Sequence, residues 1–349
     1  MEVTVVSPPN CRFVRELPET VELVPLPTDK PFSSPPALSR SLSLLSNLIG
    51  SGRFSVIHSI RETAQCLAVA ANRGRLPLIH LRSGTKAPRA NRLQRYLYRN
   101  RTRAVVVSSR QVEQWMVSLL GMPPERVHRI LAGVDTERHR PREPDPTLRD
   151  ELGIPSNRFI LLCLARLAPV KGHSILLEAL ARIRRRFPDV VLVSVGIPWE
   201  GQPTELLAQA ERLGLAGSVF FPGWRSDIER FLSIANAGVL GSIGSEENSR
   251  ATEEYLASGL PVVATTVGVI PELVREGETG FLAPPRDPAA LAEGVIRLLD
   301  APDLARRMGK AARQDALKRF SRQEFARRLG QVLEAGGISV LPCPTPEES

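Results

Sequence analysis

The chain has 349 residues, of which 42% are hydrophobic, and carries a formal net charge of +9. That is a globular composition with room for two domains of ordinary size. No apolar run approaches the ~18 residues needed to span a bilayer, the start Met1-Glu2-Val3-Thr4 has neither a basic n-region nor an apolar h-region, and a cytoplasmic location is expected. The four cysteines, Cys11, Cys66, Cys163 and Cys343, are scattered without metal-ligand spacing, so reduced thiols are expected and a metal site is not. The positive charge points to an anionic partner such as a nucleotide, phospholipid head groups, an acidic glycolipid or nucleic acid.

Short β-branched runs alternate with helical stretches, the pattern of doubly wound α/β domains with parallel sheets. In the first half the runs 3–6, 21–25, 56–58, 78–81, 105–108 and 127–131 read as strands, with helices over 62–72 and 110–120 among those between them. The Pro-rich charged stretch at 141–146 then breaks the pattern and reads as an interdomain linker. The second half restarts with strands at 159–164, 190–195, 219–221 and 239–240, helices at 174–185, 204–213 and 288–299, and two further helical patterns after Pro302 that end near Ala335. The Gly/Pro-rich tail, 337–349, reads as disordered.

The most specific stretch lies between Gly241 and Leu282. Glu246 falls in the loop after a strand, and Glu254 two turns into a helix that Asn248 or Ser249 can cap. Gly259-Leu260-Pro261, Pro271-Glu272 and Thr279-Gly280 follow in order. Carboxylates suit vicinal diols because each oxygen accepts hydrogen bonds from hydroxyls; a solvated acidic helix face is the plainer alternative. The Glu246-x7-Glu254 spacing with this sequel resembles the donor signature of glycosyltransferase family 4, retaining enzymes of GT-B type. The resemblance implies an α/β GT-B fold of two doubly wound Rossmann-like domains facing a cleft. It places an acceptor-side domain over 1–143, a nucleotide-sugar donor domain over 144–320 and a helix over 321–336 that crosses back onto the first domain.

By the same resemblance Glu246 contacts the donor sugar hydroxyls and Glu254 the ribose. Upstream, Arg166 and Lys171 in Ala165-Arg-Leu-Ala-Pro-Val-Lys-Gly-His173 follow a strand and precede a helix. A planar fork and a compact ammonium can together neutralise a departing diphosphate, although basic residues also simply decorate loops. They match the family's Arg and Lys-Gly pair and are read as catalytic through electrostatic stabilisation of the leaving group. Trp224 and Arg225 fall in the segment that reads the base in the family, with a packed surface tryptophan as the alternative. Gly244 and Ser245 sit where backbone approaches phosphates. Val195-Gly-Ile-Pro198 resembles the family's Gly-x-Gly-Pro turn without its second glycine, and Gly133 and Asp135 in Ala-Gly-Val-Asp read as a structural turn.

Family members open with a strand, a Gly-rich turn and a helix. This chain begins on what resembles the second strand, with no glycine before Gly50, so the first unit is expected to lack a central strand and to expose a sheet edge. On the acceptor side, His58 resembles a histidine that faces the cleft, with a core or capping histidine as the alternative, and Ser83 takes the place of another that touches the donor sugar, with His80 and Arg82 on one strand face nearby. Residues 86–103 hold seven basic side chains and no acidic one; Arg92, Arg95 and Arg99 fall on one helical side and Leu93, Tyr96 and Leu97 on another. That is an acceptor-side or anionic membrane-surface patch, or a solvated face, and it matches none of the nucleic-acid-binding signatures.

The sequence thus reads as a retaining glycosyltransferase that moves a sugar from a nucleoside diphosphate sugar to an acceptor hydroxyl, in cell-envelope glycan or glycolipid synthesis. It needs no cofactor, and with no Asp-x-Asp motif no metal. A nucleotide-sugar isomerase of the same fold and a donor-binding remnant without activity are the alternative readings.

Overall fold

The computed structural model describes residues 2–336 apart from 9, 10, 12, 13, 15, 16, 29, 83, 85 and 245. The expected tail at 337–349 and two expected site positions, Ser83 and Ser245, lie outside the described residues. The chain divides into two compact units, residues up to Ile130 with the described residues from Arg327 on, and Leu131–Ala326.

In the first unit β1 (Thr4–Ser7), β2 (Glu22–Pro25), α1 (Pro35–Gly50), β3 (Ile57–Ile60), α2 (Glu62–Asn72), β4 (Leu78–Arg82), α3 (Arg92–Arg101), β5 (Ala104–Val107), α4 (Arg110–Ser118) and β6 (Val127–Arg129) follow one another. The strands pair in parallel as two separate sheets, β1-β2 and β3-β4-β5-β6. β5 is buried along its whole length, which is why Ala-Val-Val-Val reads as a continuous apolar run rather than an alternating one. Ser109 starts α4 by accepting a hydrogen bond from the Val112 N–H. α1 fills the interval between the expected strands at 21–25 and 56–58: Ser34 caps it at the Ala37 N–H, and its two leading prolines need no hydrogen-bonded N–H there.

The second unit runs α5 (Pro146–Leu152), β7 (Phe159–Leu164), α6 (His173–Arg184), β8 (Val190–Val195), α7 (Gln202–Arg212), β9 (Val219–Gly223), α8 (Ile228–Ile234), β10 (Ala237–Leu240), α9 (Arg250–Ala257), β11 (Val262–Thr265), α10 (Ile270–Leu273), β12 (Gly280–Ala283), α11 (Pro288–Asp300), α12 (Pro302–Arg319) and the start of α13 (Arg322–Ala335). Its six parallel strands lie in the order β12-β11-β10-β7-β8-β9. Succession therefore runs outward from β7 on one side and from β10 on the other, so the sheet is doubly wound and its switch point lies between β7 and β10. Open α/β sheets bind ligands at the carboxyl ends of strands at such a point.

The expected boundary at 143/144 falls inside this second unit. The Val134 N–H donates to the Phe320 carbonyl and the Arg322 N–H to the Val134 carbonyl, 2.9 and 3.0 Å apart, which ties the segment ahead of the Pro-rich stretch to the second unit. Within that stretch Asp145 caps α5, accepting from the Thr147 and Leu148 N–H groups. Gly133 and Asp135 serve the same local architecture: Phe325 packs over Gly133, and Asp135 accepts from the Glu137 and Arg138 N–H groups and from Arg322.

Candidate functional site

At the switch point the loops after β7 and β10 meet backbone to backbone. A Cβ added to Gly172, whose φ is +67°, would lie 1.8 Å from the Gly241 carbonyl oxygen, so only glycine permits this approach. The Ile243 N–H donates to the Val170 carbonyl at 2.9 Å, which fixes the two loops in register, and Gly244 continues the second of them. Gly172 also enters α6 without a side-chain cap, so the helix begins on bare backbone donors.

This clasp brings Lys171 and Glu246 together from 75 residues apart. Lys171 Nζ donates to Glu246 Oε1 at 2.5 Å, and Ser242 Oγ donates to the same oxygen at 2.6 Å. Thr265 at the end of β11 holds Ser242 in turn, donating to its carbonyl at 2.6 Å, while the Glu246 carbonyl accepts the Val269 N–H at 2.7 Å. Glu246 is buried, whereas Lys171 keeps part of its surface in solvent. The result is a largely desolvated ion pair, its carboxylate at 6% and its lysine side chain at 13% exposure.

Arg166 is exposed on the same β7 loop, its guanidinium 5.9 Å from the centre of the Trp199 ring. The Gly196-Ile-Pro198 loop runs beside it, because the Leu167 N–H donates to the Ile197 carbonyl at 2.9 Å. The Gly196 N–H in turn donates to the Gly223 carbonyl, which places Trp224 on the next loop along, half exposed. Arg225 turns to its own neighbours: it donates to both Asp227 oxygens at 2.9 and 2.7 Å and to Glu151, and lies over the Phe231 ring. These acidic partners hold its pKa above the usual guanidinium range, and its geometry is that of a bracket between α5 and α8.

Glu254 projects from the middle of α9, half-buried, and burial pushes its carboxyl up to about 7 against the pull of Arg250 and Arg138. The adjacent Glu253 is buried and shifted upward well beyond the ordinary carboxylate value for the same reason. Arg138 pairs with Glu229 and donates to the Ser226 carbonyl at 3.3 Å. Tyr255 fixes the helix, its ring filling the space over Gly238 and its hydroxyl accepting the Leu164 N–H at 2.5 Å. Ser249 occupies the N-cap of α9 at φ +40°, but its hydroxyl pairs with Thr252 Oγ1 at 2.9 Å rather than with the backbone donor expected of a cap.

Arg166, Lys171, Glu246, Gly244, Glu254 and Trp224 thus all lie on loops or a helix that follow carboxyl ends of this one parallel sheet. Ser242, Thr265, Trp199 and Arg138 join them without having been singled out in the sequence. In the first unit His58 is exposed on β3. Arg82 is buried and engaged with Glu62 Oε1 at 2.6 Å, the Lys86 carbonyl at 2.8 Å and the Tyr98 hydroxyl at 3.3 Å, so it braces the approach to α3. His80 on the same face is fully buried, its pKa lowered to about 3 by desolvation and nearby Arg82.

Residues 1–138 match the model described as Glycosyltransferase Family 4, and residues 144–315 the model described as Glycosyl transferases group 1. A D-inositol 3-phosphate glycosyltransferase of Streptomyces scabiei is 35% identical over 198 residues, 54% of this chain and 44% of that protein. The chain spans about half the length of the curated relatives it matches. Among solved structures, a glycosyltransferase of Rickettsia africae superposes with a TM-score of 0.85 at 21% identity, over 95% of this chain and 90% of that one. Anabaena Alr3699/HepE, crystallised with UDP and glucose, gives 0.78 at 23% identity, over 95% and 91%. The shared fold is GT-B, with two Rossmann-like domains. With both halves matched by glycosyltransferase models, the chain belongs to the family 4 and group 1 glycosyltransferases.

Proposed function

We propose that the chain is a retaining glycosyltransferase that takes its sugar from a nucleoside diphosphate sugar bound at the carboxyl ends of the second unit's strands. The observation that carries this reading is the pairing of Lys171 with buried Glu246 beside the uncapped start of α6. A cation for diphosphate and a carboxylate for sugar hydroxyls stand next to each other, as the two parts of such a donor do. Glu246 orients the sugar through its hydroxyls, and Lys171, Arg166 and the first backbone donors of α6 take up charge on the departing diphosphate. Glu254 accepts hydrogen bonds from the ribose diol, and Trp224 borders the base. The acceptor hydroxyl attacks on the face from which the diphosphate leaves, so anomeric configuration is kept. Charge neutralisation by these basic groups makes a metal unnecessary. The likeness to a protein crystallised with UDP and glucose supports the donor class. The acceptor is a cell-envelope glycan or glycolipid met at the inner membrane face. Among the described residues no helix is long and apolar enough to cross a membrane.

Thermal-shift titration with UDP-, GDP- and ADP-sugars in the presence of EDTA, followed by transfer of labelled sugar to an envelope extract, tests this. Stabilisation by one nucleotide class together with labelled product is expected. Conversion of the donor to a different sugar without acceptor would establish an isomerase instead, and binding without transfer by well-folded protein would establish a donor-binding remnant.

A further inference from the structure

The exposed face of α3 combines two features that a merely solvated helix does not need together. Its inward side is Leu97 and Tyr98, both buried, with Tyr98 set edge-on against His80 at 5.7 Å between ring centres. Leu97 therefore belongs to the core, whereas Leu93 and Tyr96, which the sequence grouped with it, do not: they are 63% and 51% exposed. At about 100° per residue the outward order around the helix is Arg95, Arg99, Arg92, Tyr96, Asn100, Leu93. Three arginines and two large apolar side chains thus share one solvent-facing arc, on which Arg95 also donates from Nε to the Leu119 carbonyl at 3.2 Å. Lys86 and Arg89 extend the charge along the preceding loop, and no acidic residue interrupts it between 86 and 103.

Arg82 makes this face rigid. Its bonds to Glu62, the Lys86 carbonyl and Tyr98 lock the loop and the helix to β4, so Leu93 and Tyr96 are held outward on a fixed support. Exposed leucine and tyrosine are unfavourable against water, and a polyanion such as nucleic acid would use the charges but leave the leucine wet. An anionic bilayer satisfies both: arginines meet lipid phosphates while a tyrosine and a leucine enter the head-group and acyl boundary.

We infer that α3 is a membrane-docking helix that lies on an anionic phospholipid surface, with Arg92, Arg95 and Arg99 on the head groups and Leu93 and Tyr96 inserted. This deepens the acceptor side of the proposed function and rests on that reading only for the purpose of the docking. The contact itself needs no donor.

Co-sedimentation of the full chain with phosphatidylcholine vesicles, with or without phosphatidylglycerol, tests it. Binding is expected only with phosphatidylglycerol and should weaken as salt rises. Reversing all three charges (R92E, R95E, R99E) should lower the affinity by more than about a hundredfold, since loss of each arginine's charge alone is worth about fivefold and the new carboxylates add repulsion. Leu93→Trp, a change at an exposed position, should show an emission blue shift with the anionic vesicles. Equal binding to both vesicle types, wild-type binding by the charge-reversed chain, or preference for RNA over anionic vesicles would overturn the inference. So would a tryptophan at 93 that stays in water while the protein is vesicle-bound. Donor-induced thermal shifts measured on the same variants separate failure of the docking surface from failure of the donor site.

Discussion

The two members of the Lys171–Glu246 pair differ in what a substitution leaves behind, and that asymmetry predicts how each variant behaves. Glu246 and Lys171 keep only 6% and 13% of their side-chain surface exposed, so Lys171→Ala leaves a buried carboxylate without its ammonium, with Ser242 still donating to it. It should cost about 3 kcal/mol, the range for breaking a buried pair. Glu246→Gln keeps a side-chain oxygen to which Lys171 and Ser242 can still donate and should cost less, about 1 kcal/mol, while donor affinity falls in both. Urea midpoints together with donor titration calorimetry separate the two effects; equal stability losses would contradict the asymmetry. Glu254 supplies a pH dependence of two opposite signs. Burial raises its carboxyl pKa from 4.5 to about 7, so the folded state holds this proton more tightly than the unfolded chain. Its contribution to stability is therefore fully present below about 4.5 and lost as pH rises through about 7, with buried Glu253 adding in the same direction. Donor binding runs the other way, because ribose hydroxyls donate best to an ionised carboxylate: affinity should weaken as pH drops below about 7. In Glu254→Gln both trends should flatten, and a donor affinity in wild type that does not change across that pH would remove Glu254 from the ribose site.

Among the elements, the contact that builds the site is the approach of the α6 entrance to the loop after β10. Gly172→Ala places a methyl 1.8 Å from the Gly241 carbonyl oxygen at a φ of +67°, while Gly214, at φ +68°, has open space around it. Gly214→Ala should therefore cost only the left-handed backbone penalty, about 1 kcal/mol, whereas Gly172→Ala should exceed about 3 kcal/mol because the loops must part. Matching urea midpoints for the two variants would show that the approach is not tight. How well the elements could be read from the sequence follows from their chemistry. β7 and β8 are legible at their full bounds because Phe-Ile-Leu-Leu-Cys-Leu and Val-Val-Leu-Val-Ser-Val are apolar runs, the second interrupted by Ser194 alone, between helix signals. The bounds of α1 are hard to read because its serines are indifferent helix formers and its leading prolines resemble loop; α5 is hidden because Asp145-Pro146, a cap followed by a first-turn proline, ends the Pro-rich stretch that reads as linker. Lys171 and Glu246 were legible because each has a local pattern. Ser242, Thr265 and Trp199 were not, since they matter only through loops that meet across different strands.

For the molecule as a whole, the two units differ in how much apolar surface they bury. One continuous cluster spans the second unit from Leu131 to Phe320. In the first, the main cluster gathers around β5, α4 and Tyr98, and the sheet is divided into β1-β2 and β3 to β6. Val3, Leu23 and Ile60 of that unit remain substantially exposed at or beside these strands, and short parallel sheets with open edges have few ways to make up lost core. The first unit is therefore the weaker one, and local opening should begin there. Under graded urea with thermolysin, cleavage should appear first among residues 1–60 and spare a fragment that contains 131–326. A nucleotide-sugar bound to the second unit adds stability by mass action, about 2.7 kcal/mol at a hundred times its dissociation constant, and should delay cleavage of that fragment far more than the early cuts. Early cleavage inside 131–326, or a donor effect equal in both units, would mean that stability is not partitioned by core size and that the split sheet is no weaker than the continuous one.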